Sequence, residues 1–267
     1  MSQSRLPDSQ SMPIVPTGEV VWTCFDKEVA QFYGEEGGAR MFDDVRNTPE
    51  VENYLNEEAV ALDRLFRALP DRNHLIEVGC GHGRYRPWAA ERDLNYDGLD
   101  LVAALVDAGR KLHVPTRPDL RSKLHIESVE ELGRLFEHEG LQGHGNRVIT
   151  LFPFNCFGNL ARPSMVLRAL AHTQASALVS TYSTDPETTN LRITYYEQCH
   201  YSGLVAQDLP KGVVIRSREG LRAYAYREEY LTRLFAAVNY RLEMCLKLDR
   251  IGIGYFFVPQ EDAARPR

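Results

Sequence analysis

Leu55, Ala59, Leu62, Phe66 and Leu69 recur at steps of four and three, the spacing of one helical stripe, and the LPDRN segment that follows predicts its end. From there apolar runs of strand length alternate with helix-like stretches. Strands are predicted over 74–78, 95–100, 123–127, 147–152 and 176–182, and helices near 84–92 and over 102–112, 129–138 and 163–172. Such alternation predicts an α/β fold, with a parallel sheet and crossover helices on both faces. The pattern breaks at 183–226, a polar, Tyr-rich stretch in which GVVIRS and LRAYAY read as a hairpin. A helix over 227–238 and two β runs, 240–248 and 252–260, close the chain, and the short gap between the runs predicts antiparallel pairing. Residues 1–19, rich in Ser, Pro and Gln, carry too few apolar groups to offset ordering and read as a flexible tail. The expected organisation is therefore one domain over 20–267, with 183–226 inserted as a substrate lid.

The most specific passage is LIEVGCGHGRYRPW, residues 75 to 88. Glycines at alternate positions let a strand turn sharply into a helix and let a ligand approach the backbone without meeting a Cβ atom. A dinucleotide fingerprint, GxGxxG, would put its third glycine where Arg84 stands. Instead Glu77 precedes the first glycine by two residues, and Asp100 ends the next predicted strand, where its carboxylate could accept hydrogen bonds from both hydroxyls of a ribose. A pyrophosphate would not be favoured so close to Glu77. Cys80 and His82 occupy the loop's variable positions and read as packing or spacing residues rather than catalysts. A formal charge of −6 argues against a nucleic-acid partner, which needs a dense positive surface. Five dispersed cysteines without a CxxC pair, no signal pattern and no run of eighteen apolar residues point to a cytoplasmic chain with no membrane partner.

These residues resemble the first motif of the class I S-adenosylmethionine-dependent methyltransferases, and the likeness extends over 74–182 and the strand pair at 240–260. The resemblance implies a Rossmann-like, seven-stranded, mostly parallel sheet with an antiparallel C-terminal pair, and S-adenosyl-L-methionine as cofactor. It implies Glu77 in the acidic position, Gly79, Gly81 and Gly83 beneath the methionine moiety, and Asp100 on the ribose. Glu127, Ser128 and Val129 match the positions flanking the adenine, and Cys80, Leu101 and Phe152 complete the expected cofactor contacts. Tyr33, in an N-terminal segment of a kind that often covers the cofactor in this family, is added to them.

The stretch LFPFNCFGNLARP, 151 to 163, follows the fourth predicted strand and is similar to the N-x-F-x-x-L pattern of glycine-type N-methyltransferases, with Asn155, Phe157 and Leu160 matching. It is not the N-P-P-Y motif of enzymes that methylate nucleobases or amide nitrogens. Asn155, Phe154, Phe157 and Tyr196 are thus substrate-binding candidates. Transfer from a sulfonium is an in-line displacement on an activated electrophile, so alignment and desolvation of a lone pair carry most of the catalysis. In NLRITYYEQCHYSGL, Arg192, Tyr196 and His200 share one helical face at steps of four, and Tyr195, Glu197 and His200 are the candidates for proton acceptance. Phe152-Pro153 and Ser183-Thr184-Asp185 stand where a metal-dependent relative would carry hard oxygen ligands, so no metal is expected. The expected activity is methyl transfer to a small-molecule acceptor, nitrogen ahead of oxygen. A His/Glu-assisted O-methyltransferase, a cofactor-binding regulatory module and a nicotinamide oxidoreductase stand as alternatives. A monomer and a homodimer are both open.

Overall fold

The computed structural model describes residues 31–34, 38 and 40–260. The expected tail at 1–19 lies outside them. Helix α1 (Pro49–Ala68) is capped by Thr48, whose hydroxyl accepts from Val51 N–H, with Pro49 opening the first turn. Strands β1 (His74–Val78), β2 (Asn95–Asp100), β3 (Ser122–Ile126), β4 (Val148–Phe152) and β5 (Ser176–Tyr182) alternate with helices α2 (Arg86–Ala90), α3 (Ala103–Lys111), α4 (Leu132–His138), α5 (Cys156–Asn159) and α6 (Pro163–Thr173). Helix α7 (Pro186–Gln198), strands β6 (Val205–Leu209), β7 (Gly212–Arg216) and β8 (Arg222–Tyr226), helix α8 (Glu228–Ala236) and strands β9 (Tyr240–Leu248) and β10 (Gly252–Pro259) follow.

Seven strands form one sheet in the order β3-β2-β1-β4-β5-β10-β9. The first five run parallel, and β10 is antiparallel to both β5 and β9. Strand β1 is buried at every position because helices cover both faces, which is why HLIEV shows no alternation. Ile76, Val78, Leu99, Phe152, Val179 and Phe257 pack on one side against residues of α4, α6 and α8. Leu75, Tyr96, Ile149, Leu178 and Phe256 pack on the other against residues of α1, α2 and α3.

The 183–226 stretch contains α7 and a second sheet, β6-β7-β8, wholly antiparallel. The expected hairpin is β7 and β8. Strand β6 adds to its edge and was not foreseen. Asp185 caps α7 through Thr188 N–H at 2.8 Å. Ile215, Ala223 and Ala225 of the small sheet join Tyr182, Tyr195 and Tyr196 in a third apolar cluster, at the C-terminal ends of the parallel strands.

Helix α1 departs from the expected stripe. Its buried positions are Val51, Tyr54, Glu58, Ala61, Leu62 and Leu65, while Leu55, Ala59, Phe66 and Leu69 are only half-buried. The face is rotated because a carboxylate, Glu58, takes a core position.

The small sheet meets helix α5, which follows β4, at a close backbone approach. A Cβ on Gly158 of α5 would lie 1.9 Å from the carbonyl oxygen of Tyr224 in β8, which no side-chain movement could relieve. Gly158→Ala is expected to lower stability by about 1–3 kcal/mol, the usual cost of overpacking, measured as a reduced urea midpoint at unchanged slope.

Candidate functional site

The parallel strands end along one edge, where open α/β sheets bind ligands. There a cleft encloses about 1210 Å³ of space, counting its open mouth. Its walls come from the segments after β1, β2, β3 and β4, together with Tyr33 and Met41.

The glycine loop forms the floor. Gly79, Gly81 and Gly83 have φ of +67°, +55° and +88°, values that side chains resist. Asp100 holds the loop in place: one carboxylate oxygen accepts from Gly81 N–H at 2.7 Å and the other from Val102 N–H at 2.8 Å. It thus ties the glycine turn to the start of α3. Burial raises its pKa, against these backbone hydrogen bonds.

Glu77 is almost fully buried and accepts from Tyr96 Oη at 2.5 Å and from Tyr85 N–H at 3.1 Å. Burial pushes its carboxyl up to about 7, in spite of both hydrogen bonds and the nearby Arg84. Glu127 also lines the cleft, and its Oε1 accepts two hydrogen bonds from the Arg134 guanidinium, at 2.6 and 3.1 Å. The cleft's own arginines are each matched to a carboxylate, Arg84 with Asp44 and Arg162 with Glu130.

Of the expected cofactor residues, Tyr33, Glu77, Gly79, Cys80, Asp100, Leu101, Glu127, Ser128 and Val129 line the cleft. Gly81 and Gly83 shape its floor without lining it, and Phe152 is packed in the core beneath, edge-on to Phe157. Of the expected substrate residues, Phe154 lines the cleft, while Phe157 is core. Asn155 is buried; its Oδ1 accepts from the Thr181 hydroxyl at 2.8 Å, and its Nδ2 has no partner among the described residues. Tyr195 and Tyr196 are buried in the aromatic cluster beyond Phe154.

Glu197 and His200 are not brought to the cleft. Both are exposed, Glu197 on the outer face of α7 and His200 just past its end with φ +60°, where its carbonyl accepts from Arg40. The four-residue spacing that joined His200 to Arg192 and Tyr196 fails because α7 stops at Gln198.

Several residues of the site were not foreseen. Glu58 is fully buried; it accepts from the Tyr85 hydroxyl and, at 2.8 Å, from Phe154 N–H. Phe154 and Asn155 are consecutive left-handed residues, at φ +42° and +60°, a conformation that persists only when its surroundings hold it. Glu58, Ser180 O, which accepts from Asn155 N–H at 3.0 Å, and Thr181 supply that hold. The available signal was a carboxylate four residues from both Tyr54 and Leu62 on an otherwise apolar helix face. Met41, Arg84, Glu130, Cys156 and Arg162 also line the cleft, as does Asn159, whose Oδ1 is buried with no partner among the described residues.

This sheet order, glycine floor and C-terminal-edge cleft define the fold of the class I S-adenosylmethionine-dependent methyltransferases. No model of a known protein family matches the sequence, and no curated protein matches it. Solved structures do. Magnesium protoporphyrin IX methyltransferase from Synechocystis PCC 6803, with bound SAH, aligns over 88% of this chain and 99% of its own, at 13% identity and a TM-score of 0.57. The 1,6-didemethyltoxoflavin-N1-methyltransferase of Burkholderia thailandensis, holding 1,6-didemethyltoxoflavin and S-adenosylhomocysteine, aligns over 92% and 94%, at 10% identity and 0.55. The CcbJ methyltransferase from Streptomyces caelestis aligns over 80% and 97%, at 14% identity and 0.51. At such identities the shared property is the fold. Among the described residues, no helix is long and apolar enough to cross a membrane.

The Glu77 carboxyl titrates near 7 when folded, against 4.5 for a free side chain, so the folded protein holds an extra proton between those values. Its contribution to stability is full below the lower value and is lost as pH rises through the upper one. The stability of the wild type relative to Glu77→Gln is expected to fall by about 1–3 kcal/mol between pH 5 and pH 8, read from urea unfolding of the ligand-free proteins.

Proposed function

We propose that this chain is an S-adenosylmethionine-dependent methyltransferase acting on a small molecule. The observation that carries the reading is the composition of the cleft: Glu77, Asp100 and Glu127 stand in succession along it, and Asn159 offers an unpartnered acceptor near Leu160 and Val166. A sulfonium nucleoside fits this wall. Glu77 suits an ammonium, Asp100 a ribose diol, and the Asn159 carbonyl a ring amino group held between apolar side chains. A pyrophosphate does not fit, since Glu77 and Asp100 flank the glycine turn and both cleft arginines are already paired.

When bound, the cofactor supplies an electrophilic methyl on a positively charged sulfur. The chain's own part is to orient the acceptor and exclude water. Phe154, Pro153 and Cys156 form the wall after β4, where an acceptor lone pair would be aligned with the methyl, and the fixed Phe154-Asn155 turn sets the approach. Structural neighbours named for small-molecule substrates, magnesium protoporphyrin IX and 1,6-didemethyltoxoflavin, support an acceptor of that class. An amine, which needs alignment rather than a base, is the acceptor atom this site serves best. Base assistance by His200 or Glu197 is disfavoured by their exposure.

Calorimetry with S-adenosylmethionine, S-adenosylhomocysteine and NAD tests the reading. The first two are expected to bind and NAD is not; NAD binding alone would overturn it. Asp100→Asn is expected to weaken S-adenosylhomocysteine binding by about 1–3 kcal/mol, and unchanged affinity would remove Asp100 from the ribose.

A further inference from the structure

Among the described residues, Arg192 Nε and Nη1 and Tyr182 Oη are buried polar atoms with no hydrogen-bond partner, in the aromatic cluster above the ends of β4 and β5, where the Arg192 guanidinium also neighbours the Tyr196 hydroxyl and the Tyr195 hydroxyl neighbours Cys199. Arg192 is 1% exposed. Its Nη2 donates to Ala223 O at 3.1 Å, and its guanidinium lies over the Tyr182 ring at 4.8 Å. Among the described residues, no carboxylate forms an ion pair with it. A guanidinium removed from water without a counter-charge opposes folding, and a methionine would fill the same space without that penalty. Packing alone does not account for an arginine here.

The cluster begins where the cleft ends. The Phe154 ring, which lines the cleft, lies 5.8 Å from the Tyr195 ring and 6.0 Å from the Tyr182 ring. The Tyr182 hydroxyl is in turn within electrostatic reach of Arg192, Tyr195, Tyr196 and Tyr54. Tyr33 also lines the cleft, within electrostatic reach of Asp100 and Cys156 and of Tyr196 and Tyr201.

We propose that this cluster recognises the methyl acceptor through an anion: a carboxylate on a flat, largely apolar acceptor docks on Arg192 and the Tyr182 hydroxyl, behind Phe154. The site deepens the methyltransferase reading and rests on it. Guanidinium N–H and phenol O–H groups are donors in search of an acceptor, and an ionised carboxylate is a planar group that only accepts. The rings of Tyr54, Phe154, Tyr182 and Tyr195 supply the flat apolar surroundings for the body that carries it. Entry requires the Phe154 ring to move aside.

The test is calorimetric titration of the full chain, preloaded with S-adenosylhomocysteine, using matched acids and amides: benzoate and benzamide, salicylate and salicylamide, anthranilate and anthranilamide. At least one acid is expected to bind while its amide does not. Arg192→Met is expected to weaken that acid by about 30-fold or more without lowering the melting temperature of the ligand-free protein, because the variant removes an unpaired buried charge. Tyr182→Phe, which keeps the ring, is expected to weaken it by about 3- to 10-fold and serves if Arg192→Met does not fold. No preference for any acid over its amide, equal acid binding by the variants, or binding of phenyl phosphate but of no carboxylate would each overturn the proposal. S-adenosylhomocysteine binding, measured first in every protein, separates the two readings. Normal cofactor binding without acid preference removes only the anion site, whereas absent cofactor binding removes the methyltransferase reading beneath it.

Discussion

The buried carboxylate of Glu58 joins three segments that are far apart in sequence. From α1 it accepts from the Tyr85 hydroxyl, at the entrance to α2, and from the Phe154 amide, in the turn after β4. Tyr85 in turn donates its backbone N–H to Glu77, which also receives the Tyr96 hydroxyl. Two carboxylates thus share one hydrogen-bonded network under the cleft, and burial raises both. Such a network is stable only while every donor remains in place, so the glycine turn and the acceptor-side turn are fixed by the same few side chains.

That arrangement gives the cleft its electrostatic character. Asp100 spends both oxygens on backbone amides in the ligand-free chain, yet each oxygen has a second lone pair for a ligand. Arg84 and Arg162 are paired with Asp44 and Glu130, and Glu127 with Arg134, which leaves Asp100 as the carboxylate beside the glycine turn held by backbone amides and not by a cation. Beyond Phe154 lies a buried guanidinium, Arg192, with the Glu58 carboxylate on the near side of the same aromatic cluster.

The sheet could be read from the chain because short strand-like runs alternate regularly with helical stretches. Strand β2 was expected and found at 95–100, and β5 at 176–182. The cleft's floor was legible for a different reason: glycines at 79, 81 and 83 mark a left-handed turn that side chains resist, and acidic residues at 77 and 100 stand beside it at the strand ends. What was not legible depended on burial that apolar patterning does not report. Glu58 rotates the core face of α1, and α7 buries an arginine and two tyrosines while turning Glu197 outward, so its polar and apolar positions carry no clear stripe. Strand β6 is exposed at Val205, Ala206, Gln207 and Asp208, and nothing in its alternation marks a strand.

The contact between Gly158 and Tyr224 carries a consequence for how the molecule opens. Helix α5 continues directly from the Phe154-Asn155 turn and lies against β8, which is held to β7 along its length, so the acceptor-side turn and the small sheet are packed on each other. Turn and sheet then form one cooperative unit, and amide protons in both should exchange with a common opening free energy, separate from that of the large sheet. Local melting of this unit would uncover the aromatic cluster and take the Phe154 amide away from Glu58, so the loss would be felt at the glycine floor as well.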